Sequence, residues 1–337
     1  MKPIRSPLYF FFLTMFLLLS ACAAPVATQP ALSGPSATQP VSAQPTSVPA
    51  TLAPTATRAT ATEPATLPPP TLTVAPTTPS DLTVDKLKNF TFTSPMYGKT
   101  IQLTQGKYEA GNGVDYLRAS LLESIAFGDL NHDGEPDAAI LLAENGGGSG
   151  TFISLIAMLD QDGAPHQGSA IMVGDRPRIN SLKIQDGKIV LEGVIHSKQA
   201  PLCCPDLPVI ETYTLSKSGL ILQRLESITP NGMQRGIAIT SPKTGDVVSG
   251  SFPLQGNVTI APFENNLVYR IFDGQGNKLA EGPVTVNAAN PGDAGTFDTT
   301  IDLTNIPAGL LVRLELQDLS AADGSTLAMD SVELMIK

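Results

Sequence analysis

Apolar residues fall into three regimes along the chain. From Leu8 to Leu19 they are nearly continuous, behind a basic start at Lys2 and Arg5. That run is much shorter than the roughly 20 residues needed to span a bilayer, and it has the length of a signal-peptide core. From Ala23 to Ser80 apolar side chains are scattered among Pro, Thr, Ala, Ser and Gln, with no helical or strand period. From Asp81 onward, short apolar or alternating runs recur between Gly, Pro, Asn and Asp. That is the pattern of strands and turns.

Within the third regime the pattern places individual elements. Asn89–Ser94 and Thr100–Leu103 flank a turn at Tyr97-Gly98-Lys99, and Ser124–Phe127 and Ala138–Leu142 flank an acidic loop. Asp162-Gly163 follows the run Phe152–Leu159. Asp186-Gly187 joins Ser181–Ile184 to Lys188–Val194, and Ser218-Gly219 joins Glu211–Leu215 to Leu220–Leu225. Glycine after Asp or Ser supplies the positive φ that tight hairpin turns need. Val114–Leu122 reads as a short helix. These features predict a β-rich domain over residues 81–228, α+β in class if that helix forms. A Pro- and Gly-containing joint follows at Thr229–Arg235. Then come strand candidates at Ile237–Thr240, Ser251–Val258, Leu267–Asp273, Gly282–Val286, Thr296–Leu303, Leu310–Gln317 and Ser331–Ile336. Short strands at this spacing predict a β-sandwich over residues 236–337.

Composition narrows the class. The chain has 337 residues, with 21 Lys and Arg against 31 Asp and Glu, a net charge of −10. Removing a leader that holds Lys2 and Arg5 takes the mature chain to −12. Such a surface repels phosphate backbones, so nucleic acid is excluded as a partner class. Only three cysteines occur, so the folded part rests on apolar cores and not on a disulfide framework. Trp is absent and Phe and Tyr are few, which argues against an aromatic-lined platform for sugars.

The leader closes on Leu19-Ser20-Ala21-Cys22. This stretch resembles the lipobox of bacterial lipoproteins. The resemblance implies a signal peptide over residues 1–21, a diacylglyceryl group on Cys22, and placement on the extracytoplasmic face of the cell membrane. Residues 22–80 then form a disordered tether. Their composition cannot bury enough apolar surface to offset the ordering entropy. Frequent proline favours extended polyproline II, with an upper reach on the order of 180 Å. An acidic chain gains nothing from an anionic membrane, so attachment falls to lipid, and two or more acyl chains give a stable anchor.

A second resemblance runs through the last hundred residues. Ile239-Thr240-Ser241-Pro242 with Gly245 and Phe252-Pro253-Leu254-Gln255-Gly256 come first. Pro262-Phe263-Glu264-Asn265, Tyr269-Arg270-Ile271-Phe272-Asp273, Gly295-Thr296-Phe297 and Asp323-Gly324-Ser325 follow. Together they resemble the immunoglobulin-like domain of bacterial spore germination. The resemblance implies a sandwich outside the cytoplasm, not a role in germination. Phe263 is expected to plug the core of that sandwich, with its polar neighbours shaping a turn; the competing reading is a ligand contact. The fold class is therefore mainly β: a disordered Pro/Thr-rich tether, a β-rich middle domain and a C-terminal immunoglobulin-like β-sandwich.

Two constellations could carry chemistry. In Asp129-Leu130-Asn131-His132-Asp133-Gly134-Glu135-Pro136-Asp137, side-chain oxygens fall at positions 1, 3, 5 and 9. Glu135 offers a backbone carbonyl at position 7, and Gly134 permits a sharp turn. Hard oxygens from one short loop suit Ca²⁺. The bidentate acid of an EF-hand is missing, since position 12 is Ile140. With Phe127-Gly128-Asp129, the loop resembles the calcium hairpin of FG-GAP repeats, in a single copy. Affinity is expected on the order of 10⁻⁴ to 10⁻³ M. The competing reading is an acidic turn closed by Asx hydrogen bonds. The second constellation is Cys203-Cys204, between Pro201 and Pro205. A vicinal disulfide, a pair of buried thiols, and a metal or redox role with His196 all compete here.

Other signals fail on spacing. Gly146 to Thr151 lacks the Lys of a phosphate loop and the second Gly of a nucleophile elbow, so it reads as a strand connection. His132, His166 and His196 share no ligand or triad spacing. The expectation is a non-enzymatic, lipid-anchored binding, adhesion or accessory module, with an envelope protein or wall polymer as partner. The rival expectation is an envelope hydrolase with its active site in the middle domain.

Overall fold

The computed structural model describes residues 82–161 and 163–337. The leader, Cys22 and the Pro/Thr-rich tether lie outside the described residues, as does Asp162. Among the described residues no helix is long and apolar enough to cross a membrane.

The chain enters through α1 (Val84–Lys88), whose N-terminus is closed by the Thr83 hydroxyl accepting from Lys86 N at 3.3 Å. A small hairpin, β1 (Thr91–Thr93) and β2 (Thr100–Gln102), follows. An antiparallel five-stranded sheet is then built from β3 (Lys107–Ala110), β4 (Leu117–Gly128), β5 (Asp137–Asn145), β6 (Phe152–Gln161) and β7 (Ala164–Asp175), in sequence order. β5 and β6 are buried on both faces. Ala138, Ile140 and Leu142 meet Leu87, Phe92 and Ile101, so α1 and the first hairpin cover one side. Ala139 and Leu141 face the other way and meet Ile189, Leu191 and Tyr213. Alternation along a strand separates these two sets, and a strand covered on both sides reads as an unbroken apolar run.

The second layer comes from β8 (Arg178–Gln185), β9 (Lys188–Ile195), β10 (Leu207–Ser216) and β11 (Gly219–Ile228). Asp186 and Gly187, with φ of 51° and 71°, form the two-residue turn between β8 and β9. The joint folds back: Thr229 N donates to Met233 O at 2.9 Å, and β12 (Gln234–Arg235) pairs with β11.

The C-terminal sandwich then uses β13 (Ile237–Ser241), β14 (Val247–Val248), β15 (Ser251–Val258), β16 (Asn266–Asp273), β17 (Lys278–Thr285), β18 (Asn287–Ala288), β19 (Gly295–Asp302), β20 (Leu311–Leu319) and β21 (Thr326–Ile336). One of its sheets runs β13-β15-β19-β18. The other does not end within the sandwich. It runs β17-β16-β20-β21-β11-β10-β9-β8, because β21 pairs antiparallel with β11, Arg224 opposite Asp330 and Leu225 opposite Met329. One sheet therefore serves both halves, with opposite faces. Ala328, Val332 and Leu334 of β21 enter the sandwich core, while Met329 turns the other way to join Val209 and Leu225.

Two expectations are corrected. Residues 114–122 are not a helix: Gly113–Asp115 make a single 3₁₀ turn and Leu117 begins β4. Pairing decides it, because Ala119 lies opposite Tyr108 of β3 on one side and Glu144 of β5 on the other. The last hairpin turn consists of Lys217 and Ser218, and Gly219 already pairs with Ser216.

Candidate functional site

The acidic loop joins β4 to β5 and is closed by its own hydrogen bonds. Asp129 accepts His132 N at 2.6 Å on Oδ1 and Gly134 N at 3.1 Å on Oδ2. Asn131 Oδ1 accepts Asp133 N at 2.9 Å, and its amide donates to Asp133 Oδ2 at 2.7 Å. Asp133 Oδ1 accepts Glu135 N at 2.8 Å, and these donors hold its carboxyl below the usual range. Asp137 is different: fully buried, it accepts Leu130 N at 2.9 Å and Asp160 N at 3.0 Å. Burial pushes its carboxyl up. Glu135 stays exposed, and His132 packs on the β8–β9 turn, where a Cβ on Gly187 would sit 2.4 Å from its Cε1. Among the described residues no three His, Cys, Asp or Glu side chains group into a metal-holding set. What the loop offers Ca²⁺ is the second lone pair on oxygens that already accept one hydrogen bond.

Cys203 and Cys204 lie in the loop between β9 and β10, joined to each other by a disulfide and both exposed. Exposure overturns the buried-thiol alternative. Neighbouring Leu202 is 78 % exposed. Asp206 closes the base of the loop, accepting Ser197 N and Ser197 Oγ, each at 2.9 Å. The near side grips the β20–β21 connection: Lys198 N donates to Ser325 Oγ at 2.7 Å, and Gln199 Nε2 to Ala322 O at 3.3 Å. Asp323 in that connection is held down to about 2, chiefly by the N–H and hydroxyl of Ser325. Both ring nitrogens of His196 are buried without a hydrogen-bond partner.

The largest described cleft lies at neither place. It opens at one end of the C-terminal sandwich, has a volume of about 610 Å³, and is lined among others by Arg235, Phe263, Asn265, Pro291, Asp318 and Ser320. Phe263 does not plug the core: it is 65 % exposed at the rim. The turn that carries it is tight, with Asn265 N donating to Pro262 O at 3.0 Å. Glu264 and Asn265 take φ of 55° and 56°, the left-handed region that costs a residue with a Cβ. Two further bonds brace the turn. Val286 N donates to Asn265 O at 2.8 Å, and Ala261 N to Asp293 O at 2.7 Å.

The floor of the cleft carries a charge pair. Arg235 Nη1 lies 2.7 Å from Asp318 Oδ2, with the two side chains 20 % and 3 % exposed. Burial pushes the Asp318 carboxyl up and Arg235 pulls it back. Asp318 Oδ1 is buried with no hydrogen-bond partner. Neither residue stood out in the sequence, yet one signal was present. Val312, Leu314 and Leu316 set the inward parity of β20, and Asp318 falls next in that series. A second cleft of about 300 Å³, between Ser218 and the β16–β17 turn, carries groups that are already paired. There Arg313 meets Glu315 at 2.5 Å, and Asp273 accepts Gln275 N and Asn277 N.

Residues 236–325 match the family model described as the immunoglobulin-like domain of bacterial spore germination. No curated protein matches the chain. The match covers the cleft lining from Ala261 to Ala322 and leaves Arg235, Leu327 and the five-stranded sheet outside it.

Proposed function

We propose that this protein is a lipid-anchored, extracytoplasmic binding or accessory module with no catalytic step of its own. The carrying observation is the exposed Phe263 on a braced, left-handed turn over a polar-floored cleft, within the segment similar to an immunoglobulin-like family. Strained backbone held by surrounding hydrogen bonds is typical of recognition sites. The lipobox-like Leu19-Ser20-Ala21-Cys22 supplies the anchor, and the Pro- and Thr-rich stretch spaces the folded part from the lipid surface. Tethering raises the local concentration of the cleft near envelope partners, proteins or wall polymers. The two clefts described above are lined by neither His196 nor the cysteine pair, so the hydrolase reading has no support from them.

The test is Cys22→Ser in the full-length chain, followed by palmitate labelling and membrane fractionation. The expected result is loss of label and release of the protein from the membrane. A variant that stays membrane-bound, beside an unlabelled wild type, would overturn the anchor. Ca²⁺ is proposed as a weak ligand of the loop formed by Asp129, Asn131, Asp133, Glu135 and Asp137. Millimolar Ca²⁺ is expected to raise Tm, and Asp129→Ala to abolish the rise. No rise in the wild type would leave the Asx turns as the loop's whole role.

A further inference from the structure

The disulfide of Cys203 and Cys204 joins residues at a sequence separation of 1, which a peptide bond already holds together. It closes no loop of chain and ties no two elements to each other. A cross-link stabilises a fold by restricting the unfolded chain, and the restriction grows with the length of the loop it closes. Here that loop is a dipeptide, so bracing falls to other groups. Asp206 holds the base of the β9–β10 loop through Ser197, and its own N–H donates to Ile195 O at 3.1 Å. Lys198 and Gln199 fix the near side to the β20–β21 connection. At the tip, Cys204 N donates to Pro201 O at 2.9 Å and sets a tight turn. None of these bonds uses a sulfur.

The same tip is open to attack. Pro201, Leu202, Cys203 and Cys204 are all exposed. From Gln199 to Pro205 no side chain is charged, so nothing within the tip repels an approaching thiolate. Thiol–disulfide exchange needs just such access, and exposed disulfides are the labile ones, whereas structural disulfides resist reduction by the glutathione pool. A metal role has less to work with. The sulfurs are held in a disulfide and carry no thiolate, the form that ligates metals. The ring nitrogens of nearby His196 are buried and cannot reach out to complete a set.

We propose that Cys203 and Cys204 form a reversible redox modification site, opened by a dithiol from outside the chain and closed again by exchange with a disulfide. In the opening step a thiolate of the dithiol attacks one sulfur, and the bond between the two cysteines breaks as a mixed disulfide forms. The second thiol of the dithiol attacks that mixed disulfide and frees the cysteine. Two electrons and two protons pass to the pair, and the dithiol leaves as its own disulfide. The step is a stoichiometric modification of the loop tip, and it needs neither the lipid anchor nor the cleft. The test is a glutathione titration of the mature, detergent-solubilised protein, two glutathione molecules taking the part of the dithiol. Samples poised at graded ratios of reduced to oxidised glutathione are quenched in acid, labelled with a maleimide and read by peptide mass spectrometry at residues 203 and 204. Both cysteines are expected to pass from unlabelled to labelled as the ratio rises, without denaturant, and to return when it is reversed. The reduced protein, and the double variant Cys203→Ser with Cys204→Ser, should melt with the oxidised wild type. A pair that stays unlabelled at every ratio, takes label only in denaturant, or is labelled even in oxidised glutathione alone would overturn the proposal. So would a drop of several degrees in the Tm of the double variant, the mark of a bracing bond. Failure of the Cys22 experiment would leave this one untouched.

Discussion

Glu211 is a buried acid that no ion pair relieves in the hydrogen-bond set around it. It is 4 % exposed on the inner side of β10, and its hydrogen bond is the Tyr213 hydroxyl donating to Oε2 at 2.7 Å. Burial pushes its carboxyl up to about 7, and the Tyr213 bond only partly opposes this. A raised acid favours the folded state most where it is protonated in both states, below the usual 4.5. That contribution is lost as pH rises through 7. The shift corresponds to a destabilisation of about 3 kcal/mol at most in alkaline solution. Glu211→Gln keeps an acceptor for Tyr213 and removes the charge. Its Tm should exceed that of the wild type at pH 8, and the gap should close below pH 4.5. A Tm difference that does not change with pH would contradict this account of Glu211. At the same scale, what the sequence left hidden is instructive. Phe263 belongs to an apolar-looking turn, and nothing local says whether such a residue turns in or out. The left-handed Glu264 and Asn265 turn it out. Asp318 lay one residue past the expected strand end, where its inward parity was not drawn.

Elements were legible wherever turn chemistry and alternation agreed. Asp186-Gly187 occupies the positive-φ turn its residue types call for, and all seven C-terminal strand segments fall within observed strands or a residue or two of them. β4 was not legible, because its mixed pattern suits either structure and only pairing with β3 and β5 selects the strand. The acidic side chains at the ends of β5 also have a use that spacing alone does not disclose. Asp137 ties the β4–β5 loop and β6, and Glu144 accepts from Ser94 Oγ and from Met96 N, the latter at 3.3 Å. The element-scale prediction concerns Asp330, 3 % exposed on β21. It accepts Ile239 N of β13 at 2.8 Å and meets Arg224 Nη2 of β11 at 3.2 Å. Asp330→Ala leaves the Ile239 N–H unsatisfied and should cost about 1–3 kcal/mol in urea denaturation. Arg224 is 37 % exposed, so Arg224→Ala should cost less, about 1 kcal/mol or under. The reverse order would show that the ion pair, and not the strand N–H, is what Asp330 supports.

At the scale of the molecule, the shared sheet is the feature farthest from the sequence. β11 and β21 are about a hundred residues apart, and their register, Leu225 on Met329, has no local signature. Its consequence is mechanical: the five-stranded sheet packs on one face of the shared sheet and the β13-β15-β19-β18 sheet on the opposite face further along. The two halves should therefore melt in one calorimetric transition. A fragment of residues 236–337, which bares the β11-facing edge of β21, should melt lower than the whole. Two transitions, the upper unchanged in the fragment, would mean that the shared sheet contributes no coupling. Such a body would make a stiff head for the tethered binding module proposed above, and the claim on which that proposed role depends is the anchor. Intact mass spectrometry of the protein extracted from membranes tests it most directly. The account predicts a mature chain beginning at Cys22 and heavier than its sequence by a diacylglyceryl group or more. A chain still carrying residues 1–21, or one beginning at residue 22 with no added lipid mass, would contradict it.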